Sequence, residues 1–167
     1  MLPSRPRLEK WSPDSLISAG SALGKSGDDI ASAVRSLDDQ IRRMPEASAW
    51  SGSAHDAATA MFGRATRASD DFAKYTSSVK SALAKGASDI GNARAALINK
   101  ADAIDRTELH VSDQWVVLIK PAEMSEEKAA ALQRRAEVEQ VEVNRLLVAV
   151  GGADSGTAAA VQAAAKN

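Results

Sequence analysis

The stretch PEASAWSGS, Pro45 to Ser53, decides how this chain folds. Pro45 forbids the preceding residue from staying helical. Gly52 lets the backbone reverse, and Ser53 is a helix N-cap residue. Trp50 stands between them with a large amphipathic surface. Upstream, Leu16, Ala19 or Gly20, Leu23, Gly27, Ile30, Val34, Leu37, Ile41 and Met44 alternate steps of three and four. Downstream, Ala54, Ala58, Met61, Ala65, Ala68, Phe72, Tyr75, Val79, Ala82, Gly86, Ile90, Ala93, Leu97, Ala101 and Ile104 do the same. Such seams predict two long amphipathic helices joined by a tight connector over 45–52.

Ser12-Pro13-Asp14 supplies the start of the first helix as N-cap, N1 proline and first-turn acid. Before it, Pro3 and Pro6 argue against helix, so residues 1–11 read as a basic arm with Leu2, Leu8 and Trp11 free to dock. No proline lies between Pro45 and Pro121, so the second helix can run from 53 to about 105, unless Gly86 or Gly91 interrupts it. The run Trp115-Val116-Val117-Leu118-Ile119 is β-branched and aromatic and reads as strand, with Ser112-Asp113-Gln114 turning a small hairpin from 108–111. Ser125, with Glu126 and Glu127, caps a third helix. Gly151-Gly152 is expected to end it before a last Ala-rich segment over 156–166.

The fold class is therefore all-α with a small β-hairpin: an elongated antiparallel helical hairpin or bundle. It divides into an arm (1–11), a long helical hairpin (12–106), and a β-element with a returning helix and short Ala-rich helix (107–167). Helix lengths suggest a long, thin rod with Trp115 at a β tip. Composition agrees. Of 167 residues, 34 are alanine and only six are aromatic, too little bulk for a thick core.

The same counts exclude function classes. Without cysteine there is no disulfide, no thiol catalysis and no Cys-ligated zinc. A net charge of −1 lacks the basic footprint of a nucleic-acid binder. No apolar run is long enough for a stable membrane insertion, and the N-terminus has no signal-peptide h-region. His55 and His110, the only histidines, lie far apart, so no metal site is expected. No Gly-x-Ser-x-Gly elbow and no phosphate loop occurs. No catalytic residue and no cofactor site is assigned.

Trp50-Ser51-Gly52 between two such seams resembles the Trp-Xaa-Gly (WXG) superfamily of type VII (ESX) secretion substrates. The extended second helix looks like larger actinobacterial and mycobacterial members and the N-terminal domains of secreted effectors. The resemblance implies a WXG-type helical partner or self-association, the type VII secretion machinery, and a dedicated chaperone. It implies a protein secreted or placed at the cell surface without a signal peptide, cytoplasmic before export. Trp50 and Gly52 are then the secretion or partner motif. Phe62, Leu83, Ile98 and Ile17 lie beside the seams and are the candidate partner face, with Trp115 a further contact. Members or their partners carry Tyr-x-x-x-Asp/Glu after the hairpin. Here the only tyrosine, Tyr75, has Val79 four residues on. The export signal is thus absent, divergent, supplied by a partner, or lost with a removed C-terminus. From a different class comes the alternative of a structural coiled-coil spacer with a coincidental tripeptide.

Overall fold

In a computed structural model, which describes residues 2–166, the chain runs α1 (Arg5–Glu9), α2 (Asp14–Arg43), α3 (Pro45–Ser48), α4 (Ser53–Asp105), β1 (Leu109–Val111), β2 (Val117–Ile119) and α5 (Glu126–Ala164). Long helices and one two-stranded antiparallel sheet make it the helical hairpin type with a small β-element that the patterning implies. Contacts divide the chain into two compact units, residues 16–84 with 160–166 and residues 2–15 with 85–159.

In the unit built on α2 and the first half of α4, the helices run antiparallel. Gly20 faces Leu83 and Lys80, Gly24 faces Lys80, and Gly27 faces Thr76 and Ala73. Arg35 pairs with Asp70 at 2.9 Å further along. The glycines are what the approach requires. A Cβ placed on Gly27 would overlap Thr76 and come within 3.2 Å of the Ala73 Cα, and one on Gly20 would meet the Lys80 Cα at 3.3 Å. Each costs helix propensity of about 1 kcal/mol relative to Ala, offset by close backbone packing. Buried Gly20, Gly24, Gly27 and Ala31 form the contact line of α2. Ala73, Thr76, Lys80 and Leu83 face that line from α4.

The other unit holds the larger core: Leu97, Ala101 and Ile104 from α4, Leu109, Val111 and Val117 from the strands, and Leu132, Ala136, Val143 and Val150 from α5. Antiparallel packing of α4 on α5 is fixed by Gly86 against Thr157 and by Lys100–Glu139 at 2.6 Å. The strands pair Leu109 with Ile119, His110 with Leu118 and Val111 with Val117. Gln140 clamps the second strand, accepting the Val117 N–H at 2.8 Å and donating to the Trp115 carbonyl at 2.9 Å.

Three expectations are corrected. The arm is not free of helix. α1 forms because Pro6 sits in the first turn, where its missing N–H costs nothing. It seats on the core through fully buried Leu8. Arg5 donates to Asp105 Oδ2 at 2.7 Å, to Asp102 Oδ1 at 2.9 Å and to the Val111 carbonyl at 2.9 Å. Arg94 donates to the carbonyls of Leu8 and Glu9 at 2.9 and 2.6 Å. Second, Gly151-Gly152 does not end α5, which continues to Ala164. Gly151 stands against Leu2, where a Cβ would come within 2.8 Å of Leu2 Cδ2, and the alanines beyond carry the helix onward. Third, the connector is not all loop, since Pro45–Ser48 makes one helical turn. Neither Gly86 nor Gly91 breaks α4.

Candidate functional site: the hairpin tip and one apolar face

At the tip, Trp50 follows α3 and donates its backbone N–H to the Ala47 carbonyl at 3.2 Å. Gly52 has φ +108°, a conformation that side-chain-bearing residues rarely adopt. Nothing lies within 4 Å of where its Cβ would be, so the demand for glycine is conformational and not steric. Its carbonyl accepts the Asp56 N–H at 3.1 Å, opening α4. Trp50 meets His55 edge to face, with ring centroids 5.7 Å apart at 86°. The indole remains 47% exposed. Beside it a cavity of about 430 Å³ is lined by Ile41, Ala47, Ala58 and Phe62 and by the paired Asp38 and Arg42. His55 lies 3.2 Å from Asp56, and among the described residues no group of His, Asp and Glu is arranged to hold a metal ion.

Along the hairpin the two flanks of the contact line differ. Leu16, Leu23, Ile30, Leu37 and Met44 recur every seven residues, so they stay on one flank of α2. Ile30, Leu37 and Met44 are 46%, 51% and 49% exposed. On α4 the matching flank carries Met61, Ala65, Ala68 and Phe72, all exposed, and Tyr75 stacked on Phe72 at 6.0 Å. Antiparallel right-handed helices turn corresponding flanks to the same side, so these residues make one continuous apolar face. The opposite flank is polar, with Asp28, Arg35, Asp70, Lys74, Ser77 and Ser78 grouped together. The hairpin, which shares its unit with the end of α5 (160–166), thus keeps one open apolar side along Ile30, Leu37, Met44, Met61 and Phe72.

The residues expected from sequence are distributed differently. Phe62 and Leu83 are half-buried, Phe62 beside the tip cavity and Leu83 against Gly20, so both belong largely to the hairpin's own contact. Ile98 packs against the core of the other unit. Ile17 is open, at 44%, but it is on the flank away from Ile30 and Leu37. Trp115 is not an exposed tip. It is 3% exposed, donates Nε1–H to the Pro3 carbonyl at 2.8 Å, and sits at φ +63°. The reason is the β-turn. Ser112 and Val116 close it, and Trp115 takes the left-handed position that swings its ring under the arm. The residues missed as open are Met61 and Phe72, and with them Ile30, Leu37 and Met44. A signal was present: a line of small residues with 4-3-4 spacing runs beside a line of large ones with strict spacing of seven.

An antiparallel pair of long helices joined at a Trp-Xaa-Gly turn defines a class of small helical proteins. The family model described as proteins of 100 residues with WXG (WXG100) matches residues 10–93, and the chain belongs to this family. WXG100 proteins are helical, non-enzymatic, associated with type VII secretion, and typically form helical dimers. Among curated proteins and among solved structures, none matches the chain. Among the described residues no helix is long and apolar enough to cross a membrane.

Proposed function

We propose that this chain is a type VII secretion substrate, or the N-terminal targeting domain of a secreted effector, and that it acts by binding a helical partner without catalysis. The single observation that carries this reading is the one-sided hairpin. A WXG-type partner layer laid on Ile30, Leu37, Met44, Met61 and Phe72 completes a four-helix bundle and removes a stripe that water disfavours. The Trp50–Gly52 tip, with its half-exposed indole and neighbouring cavity, then meets the partner or the secretion machine. Tyr75 has Val79 four residues on and makes no Tyr-x-x-x-Asp/Glu motif, so in this reading a partner that carries the motif is one source of the export signal. The protein is cytoplasmic before export and is secreted or surface-placed afterwards.

The test is secretion from a host that carries the system together with a WXG-type partner. Leu37→Ser with Phe72→Ser is expected to abolish both partner capture and export while keeping the helical content. Trp50→Ala with Gly52→Ala is expected to keep partner capture and lose export. Export of both variants at the wild-type level overturns the reading.

A further inference from the structure

The arm lies in its groove as a peptide lies in a recognition cleft. Pro3 and Leu8 are its buried anchors. Its backbone is held at four points. The Trp115 indole donates to the Pro3 carbonyl at 2.8 Å, and Arg94 donates to the carbonyls of Leu8 and Glu9. The Arg5 N–H donates to the Asp113 carbonyl at 2.9 Å. Its charged key is the Arg5 side chain, which reaches Asp102 and Asp105 together at 2.9 and 2.7 Å. The groove therefore selects Pro-x-Arg-x-x-Leu, with the arginine and the leucine three residues apart on one side of a helical turn.

Little of this seat depends on the arm belonging to the same chain. Only Leu8 is a large, fully buried apolar anchor, so directional bonds to the backbone and to Arg5 do most of the holding. The joint to the rest of the chain is short. α1 closes with the Trp11 N–H on the Leu8 carbonyl at 3.1 Å, and α2 opens with the Ser15 N–H on the Ser12 carbonyl at 3.1 Å. The arm thus turns into α2 at Trp11–Ser12, ahead of Pro13, and a short hinge of this kind invites exchange of the element it carries.

We propose that the groove takes the arm of a second copy of this chain, each copy seating its residues 2–11 in the other. The exchanged element is identical, so the bonds to Arg94, Asp113 and Trp115 are remade and Arg5 again meets Asp102 and Asp105. Only the joint changes course. The exchange is reciprocal, so it closes at two copies. It uses no residue of the hairpin face. The chain's own arm competes at an effective concentration of about 1 mM, so exchange takes place at comparable protein concentrations.

The absence of cysteine makes exchange directly readable. Leu2 lies against Gly151, so the two positions mark a seated arm. One full-length chain carries Leu2→Cys, and a second, tagged to differ in mass, carries Gly151→Cys. Mixed at ~1 mM under a mild oxidant, they are expected to form a disulfide-linked heterodimer. Adding Arg5→Ala and Leu8→Ser to the first chain is expected to cut its yield about tenfold or more. Asp102→Asn with Asp105→Asn in the second chain is expected to do the same. Leu37→Ser with Phe72→Ser leaves the yield unchanged, which separates the outcome from that of the hairpin face. As a second readout, a fluorescent peptide of residues 2–12 is the probe. It is expected to bind the full chain carrying Arg5→Ala and Leu8→Ser, whose own arm is released and whose circular dichroism is unchanged. The peptide with Arg5→Ala binds about tenfold more weakly. No heterodimer, or one whose yield ignores Arg5 and Leu8, overturns the proposal. So does a yield lost with Leu37 and Phe72 alone, or a folded, arm-released chain that leaves the peptide free.

Discussion

Gly27 faces Thr76 so closely that a Cβ on the glycine would overlap the threonine's Oγ1. Thr76 is fully buried and spends its hydroxyl on the Ala73 carbonyl at 3.0 Å, so it cannot swing aside without losing that bond. Gly27→Ala is expected to destabilise the protein by about 1–3 kcal/mol through overpacking, despite the gain in helix propensity. Gly91→Ala is expected to do the reverse, because nothing lies within 4 Å of its Cβ position. There the propensity gain of about 0.5–1 kcal/mol acts alone. Urea denaturation of the two variants checks the sign of each. A stabilised Gly27→Ala means that the helices can part at no cost.

Gly52→Ala forces a side chain into φ +108° and is expected to cost about 1–3 kcal/mol, read as an earlier thermal midpoint. Trp50→Ala removes only an edge-to-face contact on a half-exposed ring, worth about 0.5–1.5 kcal/mol. Equal losses in calorimetry mean that the tip is held by the indole as much as by the turn.

Asp105 gives the arm a pH dependence. Burial pushes its carboxyl up, but the Val111 amide and then the Arg5 guanidinium outweigh burial and hold it below the ordinary range. A lowered carboxylate stabilises fully above its unfolded value of about 3.9 and loses that contribution as pH falls through the folded value. Asp105→Asn is expected to melt earlier than wild type at neutral pH, with the gap closing as pH falls below the ordinary carboxylate range. A gap that stays constant with pH contradicts the role.

Arg5→Ala strips four side-chain hydrogen bonds from the arm, to Glu9, Asp102, Asp105 and Val111. Hydrogen exchange is expected to rise in residues 5–11 before it rises in α4 or α5. The Trp115 indole, which donates to Pro3, is expected to become more accessible to acrylamide. If exchange rises equally everywhere, the arm is no separate element.

Where one local rule decided, the sequence was readable. Ser12-Pro13, Pro45 and Ser125 each set a helix boundary, and Ser125 does cap α5 through the Lys128 N–H at 3.3 Å. The hairpin around Ser112–Gln114 was legible in its β-branched run, although the strand begins only at Val117 and leaves Trp115 and Val116 in the turn. The two seams were readable as periodicity. Which flank of each seam faces inward was not, because periodicity reports an apolar direction and small residues decide where backbones touch. Gly20, Gly24, Gly27 and Ala31 took the inside and left Leu37 and Phe72 outside. Phe62 and Leu83, which the seams place on an outer face, are drawn inward for the same reason. Trp115 and α1 were hidden by long-range partners: nothing near Pro3 in sequence announces an indole 112 residues on. Gly151-Gly152 stays inside α5 because the alanines beyond it carry the helix onward, against the local stop rule.

The seating of the arm also has a consequence for synthesis. Leu8 and Arg94 are 86 residues apart in the chain and joined in the fold. At ribosomal rates of about 5–20 residues per second, Arg94 is made roughly 4–17 s after Leu8. The β-turn that receives Pro3 through Trp115 comes later still. Through that interval the arm has no place to go, while Gly20, Gly24 and Gly27 gain their partners near residues 76–83 earlier. The α2–α4 hairpin can therefore zip while the arm still waits, and the arm becomes one of the last strokes of folding although it is made before everything it seats on.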